Sequence, residues 1–419
     1  GFSVVLLGLN YIYPLYSLKR TGGTIVFLLV IAIMLLCYLK CRGKKAQYVS
    51  VLLLGACLLV ELSANAKLLM DYYKRDDGEA YVSYVTEEQR QISELRDWDD
   101  GIYRISQTAT RDQNPNGLTA NYNEGLAYNY WSISGYTSDP DYNQMDFLNK
   151  LGYRLNGEVF CVVNTSIISA DALLGVKYVL ADEEIRGLEQ VEELEVHNGK
   201  KVYENPYSLP FVFSYAGQDA EAELEGVNPF EYQNALYSQL AGEKAEIYSA
   251  IEYESIGNNE GYVYQLDIPE GNYAIYGNLC WGNETNAVLD VNGAYETAYA
   301  QWLSPSVFYV PVKENEHQAT VTLTSAEYLA VQDVQFYALD LDRLAEVTEK
   351  IKSREAKTLT IENGYLKCEI EAFEGESAYL SVPFDEGWTI LLNGKEVEPD
   401  LFGDCMISIP LEAGENTIE

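Results

Sequence analysis

The first 67 residues are built from long apolar runs broken by short basic loops, whereas the rest of the chain alternates apolar and polar positions over short distances. Three apolar stretches open the chain: residues 4–17, residues 24–39 (TIVFLLVIAIMLLCYL, free of charge) and residues 48–62, which hold Glu61 at their far end. Each approaches the roughly 17–20 residues that a helix needs to cross a bilayer, and flanking residues can extend them. The pattern predicts about three transmembrane helices over residues 1–67, the first truncated, and a cleaved signal peptide does not explain three in a row. The lipid bilayer is thus an expected partner. The loop Lys40-Cys41-Arg42-Gly43-Lys44-Lys45 is denser in positive charge than Lys19-Arg20, which assigns it to the cytoplasm. The third helix then leads outward and places residues after about 67 on the extracytoplasmic side. Glu61 and Asn65, four apart, share a helix face at that boundary. They mark the interface or, alternatively, contact a lipid-linked substrate.

Beyond the helices, residues 68–250 read as an α/β or α+β region. EEQRQISELRDW (87–98) has the spacing of an amphipathic helix, GIYRIS (101–106) follows as a strand, and YNQMDFLNKL (142–151) is another helix. Strands are expected at 159–163 and 176–180, with a helical turn at 170–174 between them. Residues 194–204 form a hairpin turning at Asn198-Gly199, a pair suited to the positive backbone angles of a tight turn. Residues 251–340 change character: short Tyr-, Val- and Ile-rich strands separated by turn residues are the pattern of a β-sandwich. Residues 341–356 read as a charged helical linker, and 357–419 as a C-terminal β-rich domain. There, SVPFDEGWTILLNGKEV (381–397) is expected to turn at Asn393-Gly394, pairing Leu392 with Lys395 and Ile390 with Val397. That hairpin would put Trp388, Ile390 and Leu392 on one face. The chain starts inside an apolar run and stops in ENTIE without a turn, so both ends read as cut. The fold class expected is N-terminal transmembrane α-helices, an extracytoplasmic α+β region and mainly-β, sandwich-like domains.

Charge sharpens this division. Seven of the 28 Lys/Arg lie up to Lys67, but only Glu61 of the 64 Asp/Glu does, so the remainder is strongly acidic. Such a surface excludes nucleic acid as a partner. Cys161, Cys280, Cys368 and Cys405 are far apart and show no metal-ligand spacing; Cys368 and Cys405 are either paired or free. No phosphate loop or dinucleotide fingerprint occurs, and no cofactor is identifiable. The two histidines, His197 beside a turn and His317 in KENEHQ, read as surface residues, leaving little material for a triad or metal site. Asp139-Pro-Asp141-Tyr-Asn143-Gln-Met-Asp146 alternates oxygen ligands but lacks the glycine and distal glutamate of a calcium loop, so a turn with a helix cap is expected. Aromatic faces stack on sugar rings, and among the 35 Tyr and five Trp, Trp281 and Trp302 are candidate substrate contacts, with core packing as the alternative.

Taken in order behind membrane helices, DALLGVKYVL (171–180), VYENPYSLP (202–210) and SVPFDEGWTILLNGKEV (381–397) resemble the YfhO family of bacterial membrane proteins. SGYTSDPDYNQMDFLNKLG (134–152) is also similar to that family. The resemblance implies a multi-pass, C-type glycosyltransferase-like protein of the bacterial cell membrane. It would transfer a sugar from an undecaprenyl-phosphate carrier onto an envelope polymer such as lipoteichoic acid. An acidic residue in the first outer loop would activate the acceptor, and no acid here matches it, so no catalytic residue is assigned. A further membrane helix after Glu419 is implied too. The alternative is a non-catalytic anchored surface protein whose sandwich domains bind glycan. A transporter is disfavoured because no broken-helix or intramembrane charge pattern appears.

Overall fold

A charge-free apolar run has only one way to satisfy its backbone in lipid, and the chain begins accordingly with helices. The computed structural model describes residues 18–40, 43–72, 78–108, 123–137, 139–156, 160–162, 165–216, 227–258, 261–281, 286–293, 295–300, 307–313, 316–325 and 331–419. Two units result, Gly1–Tyr81 and Val82–Glu419.

In the first unit, Leu18–Lys40 (α1) and Lys44–Tyr72 (α2) are helices of 23 and 29 residues. Both are long and apolar enough to cross a membrane. Nineteen residues at 1.5 Å each reach about 28 Å, close to the ~30 Å of a hydrocarbon core. Val26, Leu29, Ile33, Leu52 and Leu59 stand exposed, as suits lipid contact. Helix α2 runs well past the expected limit at residue 62, because SANAKLLM contains good helix formers and no Gly or Pro. Glu61 therefore lies within the helix rather than at its end. The expected segment 4–17 falls outside the described residues.

Helix Gly78–Trp98 (α3) runs across the boundary between the units, and from Val82 onward, in the second unit, it buries Tyr84, Glu88, Gln91, Ile92 and Leu95 along one stripe. That stripe packs on a sheet ordered Arg104–Gln107, Val176–Ala181, Lys201–Glu204, Glu189–Gln190, with a parallel first pair and antiparallel remainder. Ile92, Leu95, Ile105, Tyr178, Leu180 and Val202 fill the interface. The turn at Asn198 (φ 53°) and Gly199 (φ 76°) has the two positive angles of a type I′ turn. Its ladder is shorter than expected, a single His197–Lys200 bridge, because Lys201–Glu204 pairs with Glu189–Gln190 and Val176–Ala181 instead.

The central strands form the expected β-sandwich. A five-stranded sheet (Tyr253–Asn258, Gly261–Asp267, Gln318–Thr324, Asn286–Val291, Tyr295–Ala300) faces a four-stranded one (Val307–Val310, Tyr273–Trp281, Val331–Asp340, Tyr248–Ala250). Leu266, Ile275, Leu289, Val321, Leu323 and Phe336 interleave between them. Helix Leu341–Lys352 is capped by Asp340, whose carboxylate accepts from the Arg343 N–H at 2.9 Å. It buries Leu344, Val347 and Ile351 in the largest core cluster, so it is a packed element rather than a linker.

The last segment makes a second pair of sheets, and one of them takes in Val212–Tyr215 as the neighbour of Ser377–Pro383. Cys368 and Cys405 are free and buried, in different core clusters; burial pushes their thiols up to about 11 and about 12. The terminal hairpin has the expected register, with Leu392 opposite Lys395 and the Val397 N–H donating to Ile390 O at 3.0 Å. Ile390 and Leu392 are buried. Trp388 departs from that face and is 36% exposed. Gly394 has φ 77°, with open space where a Cβ would stand. The Gly394→Val variant is therefore expected to lose about 1–2 kcal/mol through backbone strain alone. Thermal melting checks this, and an unchanged midpoint contradicts the turn type.

Candidate functional site

Residues 123–137 and 140–148 line a cleft of about 1020 Å³ together with residues 361–366, Val382 and Trp388 of the terminal segment. Arg104 lies at its base. Its guanidinium donates to Ser381 Oγ and to Ser381 O, both at 2.7 Å, and to the Leu174 carbonyl. It also covers the Phe211 ring at 4.5 Å. Burial brings its pKa down to about 10, which leaves it cationic at neutral pH.

The walls come from three places. Helix Glu124–Tyr128 ends on Asn129 in a left-handed conformation (φ 58°), and the chain then turns through Tyr130, Trp131 and Ser132 along the cleft. The Trp131 carbonyl is fixed by the Ile105 N–H at 2.9 Å, and its ring lies 5.6 Å from Phe211. Helix Tyr142–Lys150 presents Gln144, Met145 and Leu148. Its N-cap is Asp141, which accepts from the Gln144 N–H at 2.8 Å; the expected cap at this acidic stretch is thus observed. The terminal sheets contribute Asn363, Tyr365, Val382 and Trp388. Trp131 and Trp388 are 45% and 36% exposed, and amide side chains from Asn123, Asn129, Gln144 and Asn363 share the lining. Among the described residues that line it there is no His, Cys or Lys. The arrangement offers apolar ring faces beside hydrogen-bonding amides, which is chemistry for holding a polyol or sugar chain.

Of the four residues proposed from sequence, Glu61 and Asn65 belong to the first unit and Trp281 to the second. Asn65 Nδ2 donates to Glu61 Oε1 at 3.4 Å on the exposed side of α2. Trp281 closes the strand Tyr273–Trp281, its backbone paired with Val331 beyond an irregularity in register. Trp302 lies outside the described residues. Conversely, Trp131 carried no distinguishing signal, since exposure of an aromatic depends on contacts far along the chain. The reading of His197 as a surface residue is corrected: it is 2% exposed, Nδ1 2.7 Å from Glu87 Oε2 and Nε2 2.9 Å from Glu94 Oε2. It is buried because the Asn198-Gly199 turn is docked on α3, Asn198 Nδ2 donating to Glu88 Oε2 at 2.9 Å. His317 is exposed, as expected.

A family model for the bacterial membrane protein YfhO matches residues 2–419. The chain belongs to the YfhO family of bacterial membrane proteins. No curated protein matches it. The stretches that carry the family likeness have distinct positions around the cleft. Residues 134–152 supply one wall, residues 381–397 supply Val382 and Trp388, and residues 171–180 form the helix end and strand behind Arg104.

Within that last stretch, Asp171 is fully buried and accepts from Tyr153 Oη and Ser166 Oγ, both at 2.5 Å. Burial raises its pKa from 3.8 to about 7, and the two hydrogen bonds only partly oppose this. The folded chain consequently holds a proton here that the unfolded chain releases above about pH 4. Stability contributed by this group is complete below that pH, falls as pH rises toward about 7, and is flat beyond. Melting curves across this window should show that fall in the native sequence and its loss in Asp171→Asn; parallel curves contradict the assignment.

Proposed function

We propose that this chain is the C-terminal membrane and extracytoplasmic portion of a multi-pass glycosyltransferase-like protein. The whole protein would transfer a sugar from an undecaprenyl-phosphate carrier to a cell-envelope polymer such as lipoteichoic acid. The cleft beside Arg104 holds the acceptor during transfer. The observation that carries this reading is the pair Trp131 and Trp388, two exposed indoles from segments more than 250 residues apart, lining one cleft with amide groups. Placement outside the cell is supported by the basic residues Lys40, Arg42, Lys44 and Lys45 around the junction of α1 and α2.

The acidic surface opposes a polyanionic acceptor at long range. That repulsion is screened within about 8 Å at physiological ionic strength, so recognition rests on short-range ring stacking, with Arg104 as the one cation in the described lining. The second reading is an anchored glycan-binding protein without catalysis: of the two carboxylates in the lining, Asp141 and Glu362, Asp141 is engaged as a helix N-cap. Loss of sugar from the envelope polymer in a deletion strain supports transfer; an unchanged polymer supports binding alone.

For either reading, Trp131→Ala and Trp388→Ala should each weaken binding of the envelope polymer about tenfold, equivalent to ~1.4 kcal/mol. Because both rings are substantially exposed, the melting temperature should move little. Titration calorimetry with the purified polymer checks this, and native affinity in the double variant contradicts the cleft assignment.

A further inference from the structure

On the sheet side of α3, away from the cleft-lining residues, ligand groups converge on one imidazole. Glu87 and Glu94 are seven residues apart on α3, two helical turns, and so point to the same side. Glu195 and His197 are two apart in an extended segment and likewise share a side. Docking of the Asn198-Gly199 turn brings the two pairs together: ligand atoms of Glu94, Glu195 and His197 all lie within 4.8 Å of one another. We propose that Glu94, Glu195 and His197 Nε2 form a binding site for a zinc-like divalent cation, with Glu87 as the outer carboxylate that orients the imidazole.

Three observations support the assignment. Glu87 Oε2 lies 2.7 Å from His197 Nδ1, the arrangement by which a carboxylate holds the Nδ1 proton and leaves Nε2 to face a metal. His197 Nε2 is already 2.9 Å from Glu94 Oε2; two ligands each about 2.0–2.1 Å from a tetrahedral zinc are separated by about 3.3 Å, so only a small adjustment is needed. Glu195 is the third and decisive point. A buried histidine clamped by Glu87 and Glu94 explains those two carboxylates but not the approach of another. Glu195 is exposed and, among the described residues, makes no hydrogen bond or ion pair, so its carboxylate is free to close onto a cation held by His197 and Glu94. The position is also rigid. Lys200, just beyond the turn, bonds both Glu88 oxygens at 2.8 and 2.6 Å, and Asn198 is tied to the Tyr84 carbonyl at 3.0 Å. Two carboxylates, one imidazole and an open fourth position suit zinc or its neighbours over calcium, which takes six to eight oxygens.

The test uses the tag-free full chain in detergent. Wild type should bind one equivalent of Zn²⁺ with a rise in melting temperature and should respond far less to Ca²⁺. Co²⁺ at the same site should lack a thiolate charge-transfer band. Glu195→Gln, which breaks no bond in the folded chain, should melt like wild type without metal and bind Zn²⁺ at least tenfold more weakly. His197→Gln should abolish binding. The proposal is overturned if wild type binds no zinc, if Glu195→Gln binds it as wild type does, if Ca²⁺ binds as tightly, or if Co²⁺ reports cysteine ligands.

Discussion

The Arg104 guanidinium ties parts of the chain that are far apart in sequence, and the shape of the cleft depends on that tie. Its partners at Ser381 lie 277 residues away. A part-buried guanidinium without a carboxylate is costly unless its donors are satisfied, and here the Leu174 and Ser381 carbonyls, the Ser381 hydroxyl and the Phe211 ring do so. Ser381 and Phe211 on the terminal-sandwich side and Leu174 of the α/β layer are thereby fixed about one charge. The same junction is reinforced by main chain, since Val212–Tyr215 leaves the α/β layer to become a strand beside Ser377–Pro383. Tyr379 stacks on Phe213 across this pairing at 4.9 Å. The cleft walls are consequently parts of one packed unit.

A second polar network secures the other side. Lys200 Nζ bonds Glu88 and also Gln107 Oε1 at 2.7 Å, while Gln107 Nε2 donates to Glu124 Oε2 and to Tyr130 Oη, both at 2.8 Å. Breaking one partner of such a buried pair would leave a charge without compensation, typically costing about 3–5 kcal/mol. Tyr130 belongs both to this network and to the cleft lining. The helix that carries Glu88 and the wall that carries Trp131 are therefore mechanically joined.

Local pattern was enough to read the membrane helices, the central sandwich strands, the Asp141 cap and the Asn393-Gly394 turn, because each depends on residues adjacent in sequence. The end of α2 was not legible, since SANAKLLM is equally compatible with helix in lipid or in water. The burial of His197 was hidden for a different reason: it depends on docking against α3, a contact more than 100 residues distant. The cleft was missed for the same cause. The period-two rule groups Trp388 with Ile390 and Leu392, whereas in the structure it leaves that face and lines the cleft with residues such as Trp131 and Gln144. The family likeness included two segments, 134–152 and 381–397, that line the cleft, without indicating that they meet.

The central claim is that an envelope polymer lies in the cleft between the Trp131 segment and the terminal hairpin. Hydrogen–deuterium exchange of the full chain with and without purified polymer tests it directly. The account predicts slowed amide exchange at residues 123–148, 361–366 and 382–388 on addition of polymer. Unchanged exchange in those three segments, with protection appearing instead at residues 267–272 and 316–318 of the central sandwich, would contradict it.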